Sequence, residues 1–296
     1  TQCYATGGYG PSELLAADDG ILGKSIEAES KAFYGHWPVN NIKNVGRTFE
    51  TVCGSWAVFK LCRYLMSFTR EARFGDWMEK VLYNGTGAAL PMGVIGKSFY
   101  YSDYRVGGAS KKYYNEAWPC CSGTYIQSVA DYHNLIYFKD EKGLYVNLFV
   151  PSEVKWSQQG KQIEVRQETA YPEAETTTLI LKMKKKTHFS IRFRVPEWTQ
   201  NAAVELNGVK LDIVCKPGSW SEVEREWASD DRITFRIPKQ IKLIPVDKQH
   251  PHLVAATYGP VVLVREQEVI SDSSPQDFLK NLVPGKKSLY FKSENY

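Results

Sequence analysis

The spacing of apolar residues changes once along this chain, near Tyr137, and that change limits what the chain can fold into. Upstream, Val52, Trp56, Phe59, Leu61 and Leu65 recur with roughly helical spacing and predict a helix over 49–68. A second helix is predicted over about 74–89, with Trp77, Val81 and Leu82 as its apolar stripe, and a third over 125–135. Downstream the period becomes two: Leu144, Val146, Leu148 and Val150, then Phe189, Ile191, Phe193 and Val195, then Ile233, Phe235 and Ile237. Asn207-Gly208, between Val204-Glu205-Leu206 and Val209-Lys210-Leu211, is a hairpin signal, because both turn residues tolerate positive φ. The expected fold class is therefore α+β and multidomain: a helical region over 1–136, an antiparallel β-sandwich over 137–268, and a polar tail over 269–296 that drapes over the surface or opens a further module.

Composition removes several classes of function. The net charge of +4 is small and mixed, and no Lys/Arg cluster alternates with aromatics, so nucleic acid is not indicated. No apolar run approaches the ~18 residues of a membrane-spanning helix. Six cysteines in 296 residues do not make a disulfide scaffold. Aromatics reach 13%, a lean toward sugar stacking that cores and sheets explain equally well. The chain opens at Thr1 without a leader pattern and reads as a piece of something longer, which leaves compartment and oligomeric state open.

The chemistry is concentrated upstream. Cys120 and Cys121 follow Pro119 at the predicted start of the third helix, where Ser122 or Thr124 could act as its cap. N–H groups at a helix start favour negative charge and lower a thiol pKa there. Vicinal cysteines are awkward as a disulfide and well suited to gripping one soft metal; two buried cysteines or a redox pair are the plainer readings. Glu50 and Cys53, three apart on the first helix, project from one face. Cys62, nine residues beyond Cys53, is about half a rotation away and belongs to the core. Glu50, Cys53, Cys120 and Cys121 thus form a sulfur-rich set suited to Zn²⁺, in a spacing unlike that of a zinc finger. Glu13 follows the turn Thr6-Gly7-Gly8-Tyr9-Gly10-Pro11, where a loop carboxylate could face a cleft or simply be solvated. Cys3 and Cys215 fit no pattern.

Five segments in order carry a resemblance: Tyr4-Ala5-Thr6-Gly7-Gly8, Phe49-Glu50-Thr51-Val52-Cys53, Tyr83-Asn84-Gly85, Cys120-Cys121-Ser122-Gly123-Thr124 and Leu144-Tyr145-Val146-Asn147-Leu148-Phe149. With them the chain resembles the C-terminal half of glycoside hydrolase family 127, the β-L-arabinofuranosidase-like enzymes. The resemblance implies the end of an (α/α)6 barrel followed by a β-sandwich. It implies retaining hydrolysis of arabinofuranoside-type sugars, with a plant-type or arabinose-containing glycan as partner. It makes Cys120 the zinc-bound nucleophile and Glu13 the acid/base, with Glu27 and Glu29 as competitors. Glu50, Cys53 and Cys121 complete the Zn²⁺ site. Tyr100 and Tyr101, read from the residues alone, could line the sugar pocket, although a strand-borne aromatic is more often core. The family's usual Glu-x-Cys becomes Glu50-x-x-Cys53 here, and the four or five helices legible are fewer than the twelve of a whole barrel. The competing expectation is a non-catalytic carbohydrate-binding or structural module with a structural zinc.

Overall fold

The computed structural model describes residues 3–8, 19–24, 26–27, 52–89, 101–103, 110–112, 120–263, 282–284 and 291–293. Helix α1 (Val52–Thr69) buries Val52, Val58, Phe59, Cys62 and Met66, the three-to-four-residue repeat expected of a one-faced helix. It ends at Arg70, a left-handed residue (φ 58°) whose N–H closes onto the Met66 carbonyl at 2.9 Å. Helix α2 (Ala72–Val81) follows after two residues, Arg70 and Glu71, then widens into a π-helical turn (Leu82–Thr86) and a 3₁₀ turn (Gly87–Ala89). Helix α3 (Cys120–Asp131) runs into a 3₁₀ turn (Tyr132–Leu135). Cys120 and Cys121 therefore lie inside α3. Ser122 is a first-turn residue and Thr124 lies one turn in, so neither is the cap, because the helix begins earlier than the apolar spacing of 125–135 suggests.

The strands are β1 (Tyr101–Asp103), β2 (Ser110–Lys112), β3 (Tyr137–Lys139), β4 (Gly143–Val146), β5 (Ser152–Gln158), β6 (Lys161–Thr169), β7 (Thr176–Met183), β8 (Thr187–Val195), β9 (Ala203–Leu206), β10 (Val209–Lys210), β11 (Ser219–Trp227), β12 (Arg232–Arg236), β13 (Ile241–Pro245), β14 (Val254–Tyr258), β15 (Val261–Val262), β16 (Leu282–Pro284) and β17 (Phe291–Ser293). A six-stranded sheet, β10-β9-β12-β7-β6-β5, faces a four-stranded sheet, β11-β8-β4-β3. Their inner faces share one core, with Trp156, Val165, Leu179 and Phe235 on one side and Val146, Phe189, Phe193 and Trp227 on the other. The Phe193 and Phe235 rings stack across it at 5.1 Å. The Asn207-Gly208 turn closes β9 onto β10 with φ of 50° and 84°, as its sequence demands.

Three features depart from a simple antiparallel sandwich. First, β4 and β8 pair in parallel, Gly143 opposite Ser190 and Val146 opposite Phe193. The chain crosses to the other sheet for β5–β7 before it returns, and a Cβ at Gly143 would overlap the Ser190 carbonyl. Second, β4 and most of β8 are buried on both faces, because helices cover the outer side of their sheet. Third, β13, β14 and β15 form a separate three-stranded sheet. Asn84 ties it to the helices, donating to the Pro260 carbonyl and accepting from Val262 N–H. In the tail, β16 and β17 pair with each other.

The helices pack on the sheets through Val58, Phe59, Cys62, Met78, Val81 and Leu148. The opening glycine turn docks on α2: Trp77 Nε1 donates to the Gly7 carbonyl at 2.8 Å. Gly7 has φ +93°, and a Cβ there would come within 2.5 Å of Val81 Cγ2. Among the described residues no helix is long and apolar enough to cross a membrane.

Candidate active site

Helices α1 and α3 lie side by side and run in the same direction. Cys53 Sγ lies 3.1 Å from Thr124 Oγ1, and two turns on Lys60 Nζ lies 3.1 Å from Asp131, each pair 71 positions apart. Arg63 adds a second cation to Asp131 at 3.5 Å. A constant offset over seven residues, ~10 Å of helix, can arise only from parallel axes in register. The two amino termini therefore sit at one end, with Val52, Tyr125 and Ala89 packed beneath them beside Cys53. Two parallel macrodipoles place their positive ends together there.

This arrangement brings Cys53 to the first turn of α3, the turn that opens with Cys120 and Cys121. Thr124, against which Cys53 rests, is one turn from Cys120. Tyr101 opens β1. Glu13, Glu29, Glu50 and Tyr100 lie outside the described residues, as do the side chains of Cys120, Cys121 and Tyr101. Among the described residues no three His, Cys, Asp or Glu side chains converge, as they stand, on a metal position. Of the other thiols, Cys62 is fully buried, and burial pushes its pKa up to about 12, which makes it a packing residue. Burial likewise raises Cys3, against the opposing pull of Lys80.

A second polar centre fixes the helical segment to the sheets, and spacing alone does not reveal it. Arg194, on β8, is fully buried between two carboxylates of α2. Its guanidinium donates to Asp76 Oδ1, to Glu79 Oε1 at 2.7 Å and, through Nε, to the Asn147 carbonyl at 2.8 Å. Glu79 also accepts from the Tyr171 hydroxyl at 2.7 Å and from Trp198 Nε1 at 3.0 Å. Burial pushes Asp76 up to about 6 despite the opposing pull of Arg194. Asn147 donates to the Leu135 carbonyl at 2.8 Å, so the end of the α3 segment joins the same network. The signal available in the sequence is Asp76-x-x-Glu79 on the face of α2 that also carries Met78 and Val81.

Comparison with known proteins gives two family matches. Residues 1–134 match the family profile described as "Beta-L-arabinofuranosidase, GH127 catalytic domain", and residues 143–239 match "Beta-L-arabinofuranosidase, GH127 middle domain". No curated protein matches. Among solved structures, a GH127 β-L-arabinofuranosidase from Geobacillus stearothermophilus T6 is similar over 72% of this chain and 36% of its own, with 26% identity and a TM-score of 0.63. A protein described as a glycoside hydrolase shares the fold over 74% of this chain and 38% of its own (21% identity, TM-score 0.63). The GH127 β-arabinofuranosidase BT3674 does so over 88% and 41% (19% identity, TM-score 0.62). The chain thus spans 36–41% of the length of these relatives. Two adjoining domain profiles meet in order at the boundary where the helices give way to the sheets, and the chain belongs to glycoside hydrolase family 127.

Proposed function

We propose that this chain is the carboxy-terminal part of a retaining glycosidase acting on arabinofuranosides in a glycan. In this reading α1, α2 and α3 are the closing helices of an (α/α)6 barrel, and Tyr100 and Tyr101 belong to the sugar pocket. The observation that carries the proposal is the parallel pairing of α1 and α3, which sets Cys53 against the turn that begins with the cysteine pair. The donor chemistry fits a metal: three thiols on two adjacent helix starts, with the Glu50 carboxylate three positions before Cys53 in sequence, suit Zn²⁺. Cys53, Cys120, Cys121 and Glu50 would hold it. Bound there, zinc keeps a thiolate ionised at neutral pH.

The chain's own residues then divide the work. Cys120, at the positive end of α3, attacks the anomeric carbon; the C–S bond forms as the C–O bond to the leaving group breaks. Glu13 gives its proton to the departing oxygen. Glu13 then takes a proton from water, which attacks the same carbon and breaks the C–S bond. Two displacements on opposite faces retain configuration. The glycine turn docked on α2 lies five to seven residues before Glu13 in sequence.

The test is thiol titration with and without chelator, alongside zinc analysis of the purified chain. Three of the six thiols should react only after chelation, and Glu50→Gln should weaken zinc retention. Equal thiol reactivity with and without chelator would remove the site. In a chain extended to the relatives' length, Cys120→Ser should abolish turnover of an aryl arabinofuranoside, and retained turnover excludes Cys120 as the nucleophile.

A further inference from the structure

On the outer face of the six-stranded sheet, cations are matched to carboxylates. Lys155 lies 3.0 Å from Glu153 and 3.1 Å from Glu164, Arg166 and Arg232 share Glu168, and Arg236 meets Glu205 at 2.7 Å. The turn from β7 to β8 departs from this pattern. Lys182, Lys184, Lys185 and Lys186 are all exposed there, and none forms an ion pair among the described residues. Lys182 stands opposite Glu164 in register, but Lys155 takes that carboxylate from the other side. In the neighbouring turn, Asp231 is engaged by Asn207 Nδ2 and the Ala228 N–H, each at 2.9 Å, which leaves Asp230. Glu224 and Glu226 belong to the other sheet, where Glu224 stands 4.0 Å from His188. The backbone of the lysine turn is held in place. Buried Thr187 donates to the Lys185 carbonyl at 2.9 Å, and Gln159 Nε2 donates to the His188 carbonyl at 3.2 Å. Lys161 Nζ donates to the Lys186 carbonyl at 2.9 Å, which fixes a fifth ammonium beside the other four. The turn is remote from the thiols. Arg70, at the end of α1, reaches Asp140 at 3.6 Å, and Gly143 pairs with Ser190 just past the turn. The length of α1, ~25 Å, therefore separates this end from Cys53.

We propose that the lysine turn is a docking surface for an acidic polysaccharide, a sugar polymer that carries carboxylates along its length. Choosing a sugar polymer rests on membership of a glycosidase family, not on the thiolate site. Charge complementarity selects the occupant. Several separate ammonium groups, on a backbone already fixed, match carboxylates that recur along a chain; each pair is weak, and their simultaneous engagement gives the affinity. The residue types disfavour other polyanions. Every cation on the turn is a lysine, and arginine, whose planar fork suits phosphate, is absent from it. No large apolar side chain is exposed on the turn, so it offers neither a stacking platform for bases nor an anchor in a bilayer. A polymer held here lies clear of the cysteine end, so docking leaves that end open to a glycan.

The experiment is retention of the full chain on immobilised polygalacturonate at low salt. Free polygalacturonate, neutral arabinan, single-stranded DNA and phosphatidylserine vesicles serve as competitors. The chain should be retained, released by free polygalacturonate but not by arabinan, and released by ~1 M NaCl, where the screening length falls to ~3 Å. Lys184→Gln with Lys185→Gln should weaken binding about tenfold. Lys210→Gln with Lys216→Gln removes the same charge from exposed positions elsewhere on the sandwich and should change binding by less than about twofold. All four side chains are exposed, so neither variant should disturb the fold. Equal losses in the two variants would show a response to net charge alone and overturn the proposal. So would an absence of retention, or DNA or vesicles that compete better than polygalacturonate at equal charge. Binding is read without turnover or thiol protection, so failure here and failure of the thiolate site are separate results.

Discussion

Replacing Arg194 with Met keeps a similar apolar volume and removes the cation that donates hydrogen bonds to both buried carboxylates. The two carboxylates are not left in the same state. Glu79 retains the Tyr171 hydroxyl and Trp198 Nε1, whereas Asp76 retains one N–H, from Glu197 at 3.4 Å, and its Oδ2 has no hydrogen-bond partner among the described residues. Breaking a buried ion pair by removing one partner costs about 3–5 kcal/mol, and that loss is expected near pH 7.5. It should depend on pH in a set direction. Asp76 has a folded-state pKa of about 6, above its ordinary 3.8, so the stability gained from its protonation is present below 3.8 and is lost as pH rises through 6. Loss of Arg194 raises that pKa further, and each added unit, until the pKa reaches the assay pH, costs about 1.4 kcal/mol near pH 7.5 and almost nothing near pH 5. Urea unfolding followed by tryptophan fluorescence at both pH values reads both quantities. A loss under about 1 kcal/mol, or the same loss at both pH values, would refute the argument that Arg194 neutralises a buried anion.

Two further outcomes follow from the same junction and the sheet beside it. Gly75→Ala would place a methyl on Asn147 Oδ1 and the Arg194 Cδ, so it should destabilise by about 1–3 kcal/mol in the same assay. In an Arg194→Ala background that cost should shrink, and an undiminished cost would mean that the clash lies elsewhere. Stability should also fall in acid. For Asp140, burial opposes ionisation but is outweighed by the Tyr145 hydroxyl, the Gly143 and Lys142 N–H groups and Arg192. For Asp131, burial is outweighed by Lys60, Asn134 and Arg63. Both carboxyls sit below 3.8, so their contribution is complete above that value and drains away as pH falls below it. A melting temperature unchanged between about pH 5 and pH 3 in the wild type, but not in Asp140→Asn, would contradict this assignment.

Much of this was legible in the sequence where one face of an element decides its burial. The helical spacing marks α1, though its face is shifted: Val52 and Phe59 are buried as expected, Leu61 is exposed, and Val58, Cys62 and Met66 complete the buried side. Alternation at Ile233 and Phe235 marks β12, which buries one side. The parallel strand pair was not legible. Alternation at Phe189, Ile191, Phe193 and Val195 places Arg192 and Arg194 on the opposite, nominally wet face, yet helices cover that face and Arg194 is wholly buried. Covering by another element leaves no periodic trace in the strand it covers. The cysteine pair was visible as a motif. Its nearness to Cys53 comes from the α1–α3 register, a tertiary fact set by Thr124 and Asp131. The contact of 21–27 with 247–252, where Gly23 N–H donates to Asp247, joins residues more than 220 positions apart and rests on a glycine that no pattern singles out.

The burial of Arg194 also sets an order of events at the ribosome. Asp76 is made 118 residues before its partner, so at ~5–20 residues per second it waits about 6–24 s for its counter-ion. Within that interval the segment with Cys120 and Cys121 joins the one with Cys53, and both are made before the strand that completes their packing. The sheets downstream act as a timer: the thiol-bearing helix ends become a finished surface only once β8 has emerged, crossed over and paired in parallel with β4.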